Sequence, residues 1–112
     1  DIRASKYGVR VQGATEIALT KLDVLSYMDK IPVCTAYEID GIKTTAFPTG
    51  QRLLRAKPVI EYLPGFGDVS KCRTYEELPQ AAKDYIAYIE KAVACKITYV
   101  SVGAGRDEYI KL

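Results

Sequence analysis

Histidine and tryptophan are absent from this chain, methionine occurs once, and the three cysteines, Cys34, Cys72 and Cys95, are odd in number and widely spaced. Without histidine, a zinc site or a Cys-His nucleophile has no support, and neither does a disulfide scaffold, so reduced and mostly buried thiols are the expected state. The commonest general base is missing too, which leaves any acid-base chemistry to Asp, Glu, Lys or Tyr. Charge of one sign is not in excess. Sixteen Lys and Arg against fourteen Asp and Glu give a net charge of +2, with the signs interspersed, so no footprint for nucleic acid or an anionic membrane is visible. There is no basic-then-apolar leader and no apolar run near the length of a bilayer span. The expectation is a cytoplasmic chain with neither nucleic acid nor membrane as partner. The phosphate loop G-x-x-x-x-G-K-[ST] is absent as well, and Gly103-Ala104-Gly105 lacks the third glycine and following helix of a dinucleotide fingerprint. The sequence opens Asp-Ile-Arg without Met, which suggests a piece of something longer.

What is present fits at most one ordinary domain: 112 residues, 48% of them hydrophobic. Ile2, Ala4, Tyr7, Val9 and Val11 among Arg3, Lys6 and Arg10 predict a short amphipathic helix, weakened by Gly8 and ended by Gly13. Ile17-Ala18-Leu19 reads as a strand covered on both faces. From Ile31 to Asp40 the apolar pattern has a period of two. Asp40-Gly41 is the dipeptide of a tight hairpin turn, so Ile42 to Phe47 should return as its partner. Gln51 to Lys57 reads as an exposed basic connection and Val59 to Leu63 as another strand, stopped by Pro64-Gly65. Thr74 to Glu77 has capping-box form, but Pro79 belongs at a helix start, so a turn at 74–77 and a helix from Pro79 are predicted. That helix carries a stripe of Ala82, Tyr85, Ile86, Ile89 and Val93, which is core. Glu76 and Glu77 suit its dipole, and Tyr85, Tyr88 and Tyr99 suit packing. Ile97 to Val100 and Glu108 to Leu112 complete the strands. The expected class is α/β: a mixed sheet with a β-hairpin and helices packed on it.

Chemistry concentrates at two predicted strand ends. Thr20-Lys21-Leu22-Asp23 follows the first strand, and in open α/β sheets ligands sit at the carboxyl ends of strands. An ionised Asp accepts through two oxygens, matching the adjacent N1 and N2 donors of guanine, and Lys21 can lay its stem along the ring. The stretch is a variant of the Asn-Lys-x-Asp box of GTP-binding proteins. Against this stands a plain reading in which Asp23 caps a helix over Val24 to Met28. Ser101-Val102-Gly103 stands at the end of the later strand. If the two strands are parallel neighbours, both turns converge on one crevice, and backbone N–H groups of the Ser-x-Gly turn can donate to guanine O6. Otherwise 101–105 is only a turn.

Leu19-Thr20-Lys21-Leu22-Asp23-Val24-Leu25 resembles adenylosuccinate synthetase, and the likeness continues in order. It runs through Val33-Cys34-x-Ala36-Tyr37, Thr44-Thr45, Glu61-x-x-Pro64-Gly65, Leu78-Pro79-x-Ala81-Ala82-x-x-Tyr85-Ile86-x-x-Ile89-Glu90 and Ser101-Val102-Gly103-x-x-Arg106. The resemblance covers residues 1–112 and implies the carboxyl-terminal segment of the enzyme, a partial piece of a larger α/β nucleotide-binding fold. That family couples GTP to the ligation of IMP and aspartate in AMP synthesis, through 6-phosphoryl-IMP on Mg²⁺. By resemblance, the guanine contacts fall on Lys21, Leu22, Asp23, Ser101, Val102 and Gly103. The catalytic groups, the magnesium ligands and the IMP and aspartate contacts fall upstream of Asp1, and the full-length protein is expected to be a homodimer. Val102 and Ala104 stand where relatives often have Thr and Pro, which leaves backbone contacts at 102 and removes a side-chain one. The expectation is therefore an enzyme fragment that selects the base and is inactive alone. The alternative is a non-catalytic structural or assembly domain.

Overall fold

The computed structural model describes all residues, Asp1–Leu112, and the class is α/β as expected. Helix α1, Ile2–Gln12, is capped by Asp1, whose carboxylate accepts from the Ala4 N–H at 3.0 Å, and stops at Gly13 in the left-handed conformation. Strand β1, Glu16–Leu19, leads into a 3₁₀ turn over Leu22–Leu25. Strands β2, Lys30–Ile39, and β3, Ile42–Thr44, form the hairpin, with Asp40 at φ 52° and Gly41 at φ 79°, the positive pair such a turn requires. The predicted exposed connection contains a short exposed helix α2, Gln51–Arg55, before β4, Lys57–Pro64. Helix α3, Gln80–Val93, follows Pro79, and β5, Lys96–Ser101, and β6, Tyr109–Lys111, close the chain.

The strands divide between two three-stranded sheets, ordered β1-β5-β6 and β3-β2-β4. The hairpin therefore belongs to a sheet of its own, with β4 antiparallel to β2. The first sheet and α3 share the main core, in which Ala82, Ile86, Ile97, Val100 and Ile110 are buried. A smaller cluster of Cys34, Tyr37 and Ile39, with Phe47 against it, sits under the second sheet, where the Tyr37 hydroxyl donates to the Asp1 carboxylate. All three cysteines are free; Cys34 and Cys95 are buried and Cys72 is half-buried. No helix is long and apolar enough to cross a membrane.

One expectation needs correction. Strand β1 is not covered on both faces: Ile17 and Leu19 are half-buried, but Ala18 is exposed beside its partner Tyr99, itself 40% exposed. Ile17-Ala18-Leu19 is apolar on both faces, but β1 lies at the edge of its sheet and only one face meets this chain's core. Tyr99 consequently packs on Tyr109, with ring centroids 5.8 Å apart, on the outer face. Tyr85 does pack inward, against Phe66, and burial raises its phenol pKa.

Candidate functional site

Strands β1 and β5 are hydrogen-bonded neighbours and run parallel, with Leu19 opposite Val100. Both strands thus deliver their ends to the same edge, and the turns that follow are joined directly: the Lys21 N–H donates to Ser101 Oγ at 2.9 Å. Because that bond uses only an oxygen lone pair, the Ser101 hydroxyl keeps its proton for another acceptor.

Each turn is pinned by the apolar residue at its centre. Leu22 is 1% exposed and Val102 is 0% exposed, and both belong to the main core. Burying side chains of this size stabilises the fold by about 1.5–3 kcal/mol each, so the turns are anchored from below, with Lys21 exposed and Asp23, Ser101 and Gly103 half-buried. Any contact from Leu22 or Val102 to a ligand is therefore by backbone. The Val102 N–H is already taken, donating to the Glu108 carbonyl at 2.9 Å, whereas the Gly103 N–H enters none of the chain's own backbone hydrogen bonds.

Asp23 does not cap a helix, which corrects the plain reading of that residue. Lys21 occupies the cap position, at φ 60° and ψ 39°, and the 3₁₀ turn starts at Leu22, so Asp23 lies inside the first turn rather than ahead of it. A left-handed lysine is costly, about 1–3 kcal/mol, and such strain collects at functional sites. The bond to Ser101 helps to hold it. Within the turn, Ser26 N–H bonds to the Asp23 carbonyl at 3.1 Å, but Asp23 Oδ1 is buried with no hydrogen-bond partner, and so is Ser26 Oγ. Buried polar atoms are almost always paired, which makes this carboxylate oxygen the exception to be explained.

Beneath the second turn lies Glu108, a residue the sequence reading passed over. Its Oε2 accepts from the Gly105 N–H at 2.6 Å, and its backbone bonds both to Val102 and to Gly105. The only signal in the sequence was a Glu three residues after a glycine, a spacing found in many ordinary turns. Arg73 stands 3.8 Å from Glu108, an exposed pair of small energetic weight. No group of three His, Cys, Asp or Glu side chains converges on a point that could hold a metal ion.

A family model described as adenylosuccinate synthetase matches residues 1–110. The adenylosuccinate synthetase of Rhodococcus erythropolis is 45% identical over an alignment 112 positions long that covers 98% of this chain and 26% of that protein. That of Mycobacterium marinum is also 45% identical, with the same coverage. A solved structure described as fully ligated adenylosuccinate synthetase from Plasmodium falciparum matches with a TM-score of 0.91 and 32% identity, over 100% of this chain and 28% of that one. The chain thus spans about a quarter of the length of the curated relatives it matches.

Proposed function

This chain belongs to the adenylosuccinate synthetase family, and from that premise we propose that it is the carboxyl-terminal quarter of a GTP-dependent ligase of purine biosynthesis and supplies the guanine-selecting half-site. The full-length protein joins IMP to L-aspartate with hydrolysis of GTP, acts in the cytoplasm as a homodimer, and carries its catalytic groups, magnesium ligands and substrate contacts outside these residues. This piece alone is inactive. Lys21, Leu22 and Asp23 address one edge and face of the base, and Ser101, Val102 and Gly103 address the other.

The observation that carries the reading is the orphaned Asp23 Oδ1 on a turn tied to Ser101. A carboxylate accepts only, and guanine N1–H and N2–H form a paired donor edge of the right sign; adenine presents the opposite pattern at N1. On the facing turn, the Gly103 N–H and Ser101 O–H are donors suited to a carbonyl such as guanine O6. The alternative, a purely structural domain, gave Asp23 the task of capping a helix, and Asp23 lies inside the 3₁₀ turn instead of at its cap.

Amide hydrogen exchange in the full-length protein tests this. Saturating GTP should slow exchange at Asp23 and Gly103, while the Val102 amide, already bonded to Glu108, serves as an internal control and should change little. Identical exchange at both turns with and without GTP would remove the assignment.

A further inference from the structure

We propose that Glu108 is a positioning residue for nucleotide selection: its carboxylate fills the inside of the 101–105 turn and sets the direction of the Gly103 N–H. The inference rests on reading that turn as a guanine contact. Glu108 ties the turn at three points. Its carbonyl accepts from Val102 N–H at 2.9 Å, its own N–H donates to the Gly105 carbonyl at 3.1 Å, and its Oε2 accepts from Gly105 N–H at 2.6 Å. The third bond is the strongest kind, because the acceptor is charged. The two glycines make room for it. A Cβ on Gly103 would collide with Glu108 Oε2, and one on Gly105 would come to 2.9 Å of the same oxygen. Neither glycine has a positive φ, so what the turn requires at 103 and 105 is empty space, and the carboxylate occupies it.

Removing the carboxylate keeps the two backbone ties but frees the Gly105 N–H and empties the space inside Gly103-Ala104-Gly105, a stretch whose two glycines have more conformational freedom to regain than any other residue. The Gly103 N–H would then sample directions away from the carbonyl it is meant to meet. Arg73 supports the arrangement from outside. Its Nη1 donates to the Ser70 and Cys72 carbonyls at 2.7 and 2.8 Å, which fixes the guanidinium near Glu108 Oε1.

The test uses the full-length enzyme with Glu108→Ala and Glu108→Gln, varying GTP and ITP in turn. ITP keeps O6 and N1–H and lacks only the 2-amino group read by Asp23. Loss of one well-aimed hydrogen bond should raise KM about tenfold in Glu108→Ala, equally for GTP and ITP. The GTP-to-ITP ratio, kcat and the KM values for IMP and aspartate should hold. Glu108→Gln, which keeps an acceptor of nearly the same shape, should restore most of the loss. Exchange at Gly103 and Gly105 without nucleotide should rise in the Ala variant. Unchanged exchange there would overturn the positioning role itself. Raised exchange with unchanged KM for both nucleotides would overturn it differently, by showing that the turn does not read the base. A drop in kcat alone would also overturn it.

Discussion

Replacing Asp23 by Asn in the full-length protein should make the free enzyme no less stable while damaging its choice of nucleotide. Asp23 Oδ1 is buried and unpaired, and an unsatisfied buried acceptor carries a penalty of about 1–3 kcal/mol. An amide of the same shape removes the charge, so the stability of the nucleotide-free protein should stay level or rise by up to about 1 kcal/mol. With GTP the sign reverses. Asn puts an N–H₂ where an acceptor was, and a hydrogen bond to a charged group is worth about 1.5–3 kcal/mol, so kcat/KM for GTP should fall by roughly 10- to 150-fold at 1.4 kcal/mol per decade. Xanthosine triphosphate has a carbonyl in place of the 2-amino group and pairs with the new amide, so its kcat/KM should rise relative to GTP. The assay is initial-rate kinetics with each nucleotide at saturating IMP and aspartate, beside thermal unfolding without ligands. An unchanged GTP-to-XTP ratio refutes the base-reading role. A destabilised free protein refutes the claim that this oxygen stands unpaired.

Gly65→Ala should destabilise the fold by about 1–3 kcal/mol, at the upper end of that range because the added Cβ meets the Met28 and Asp29 backbone carbonyls rather than a movable side chain; denaturant unfolding measures it. Ile97→Ala, at a position 1% exposed in the main core, should cost about 2–5 kcal/mol by the same assay. Glu77 accepts from the Arg73 and Thr74 N–H groups at 2.6 and 3.1 Å, and these bonds hold its carboxyl below the ordinary value of 4.5. A lowered folded-state pKa contributes stability above about pH 4.5 that is lost as pH falls through the lower value, so Glu77→Gln should flatten the decline of stability below pH 5, measured by urea unfolding from pH 7 to 3.

How much of this was legible depends on how local the deciding interaction is. The hairpin rests on two adjacent residues able to take positive φ, and Asp40-Gly41 announced it. Helix α3 shows its stripe at three- and four-residue spacing and its start at a proline, and it formed within one residue of the reading. Asp23 was harder. Whether it caps a helix depends on where the turn begins, and that was decided by Lys21 adopting a left-handed conformation that lysine rarely takes, supported by a bond to Ser101 eighty residues away. The separation into two sheets is likewise a matter of long-range pairing, and the residues themselves promise only strands. Glu108 escaped because its task is to fill space that Gly103 and Gly105 leave, and glycine in sequence looks like flexibility.

The meeting of the two turns depends on one irregularity in β5. Pairing runs Ile17 to Ile97 and then Ala18 to Tyr99, so Thr98 is an extra residue bulged out of the ladder. A strand alternates faces every residue, and Ile97 and Val100, three apart, should point to opposite sides; instead they are 1% and 0% exposed in one core. The bulge reconciles them, because an inserted residue resets the alternation beyond it. Val102, two further on, then also points inward and is fully buried, which leaves Ser101 between them free to stand opposite the Lys21 turn. Without the extra residue, either Val100 and Val102 would be expelled to keep Ile97 inside, or Ser101 would be driven into the core and lose the Lys21 N–H. The bulge is therefore what converts two ordinary strand ends into a pair of turns that share a hydrogen bond.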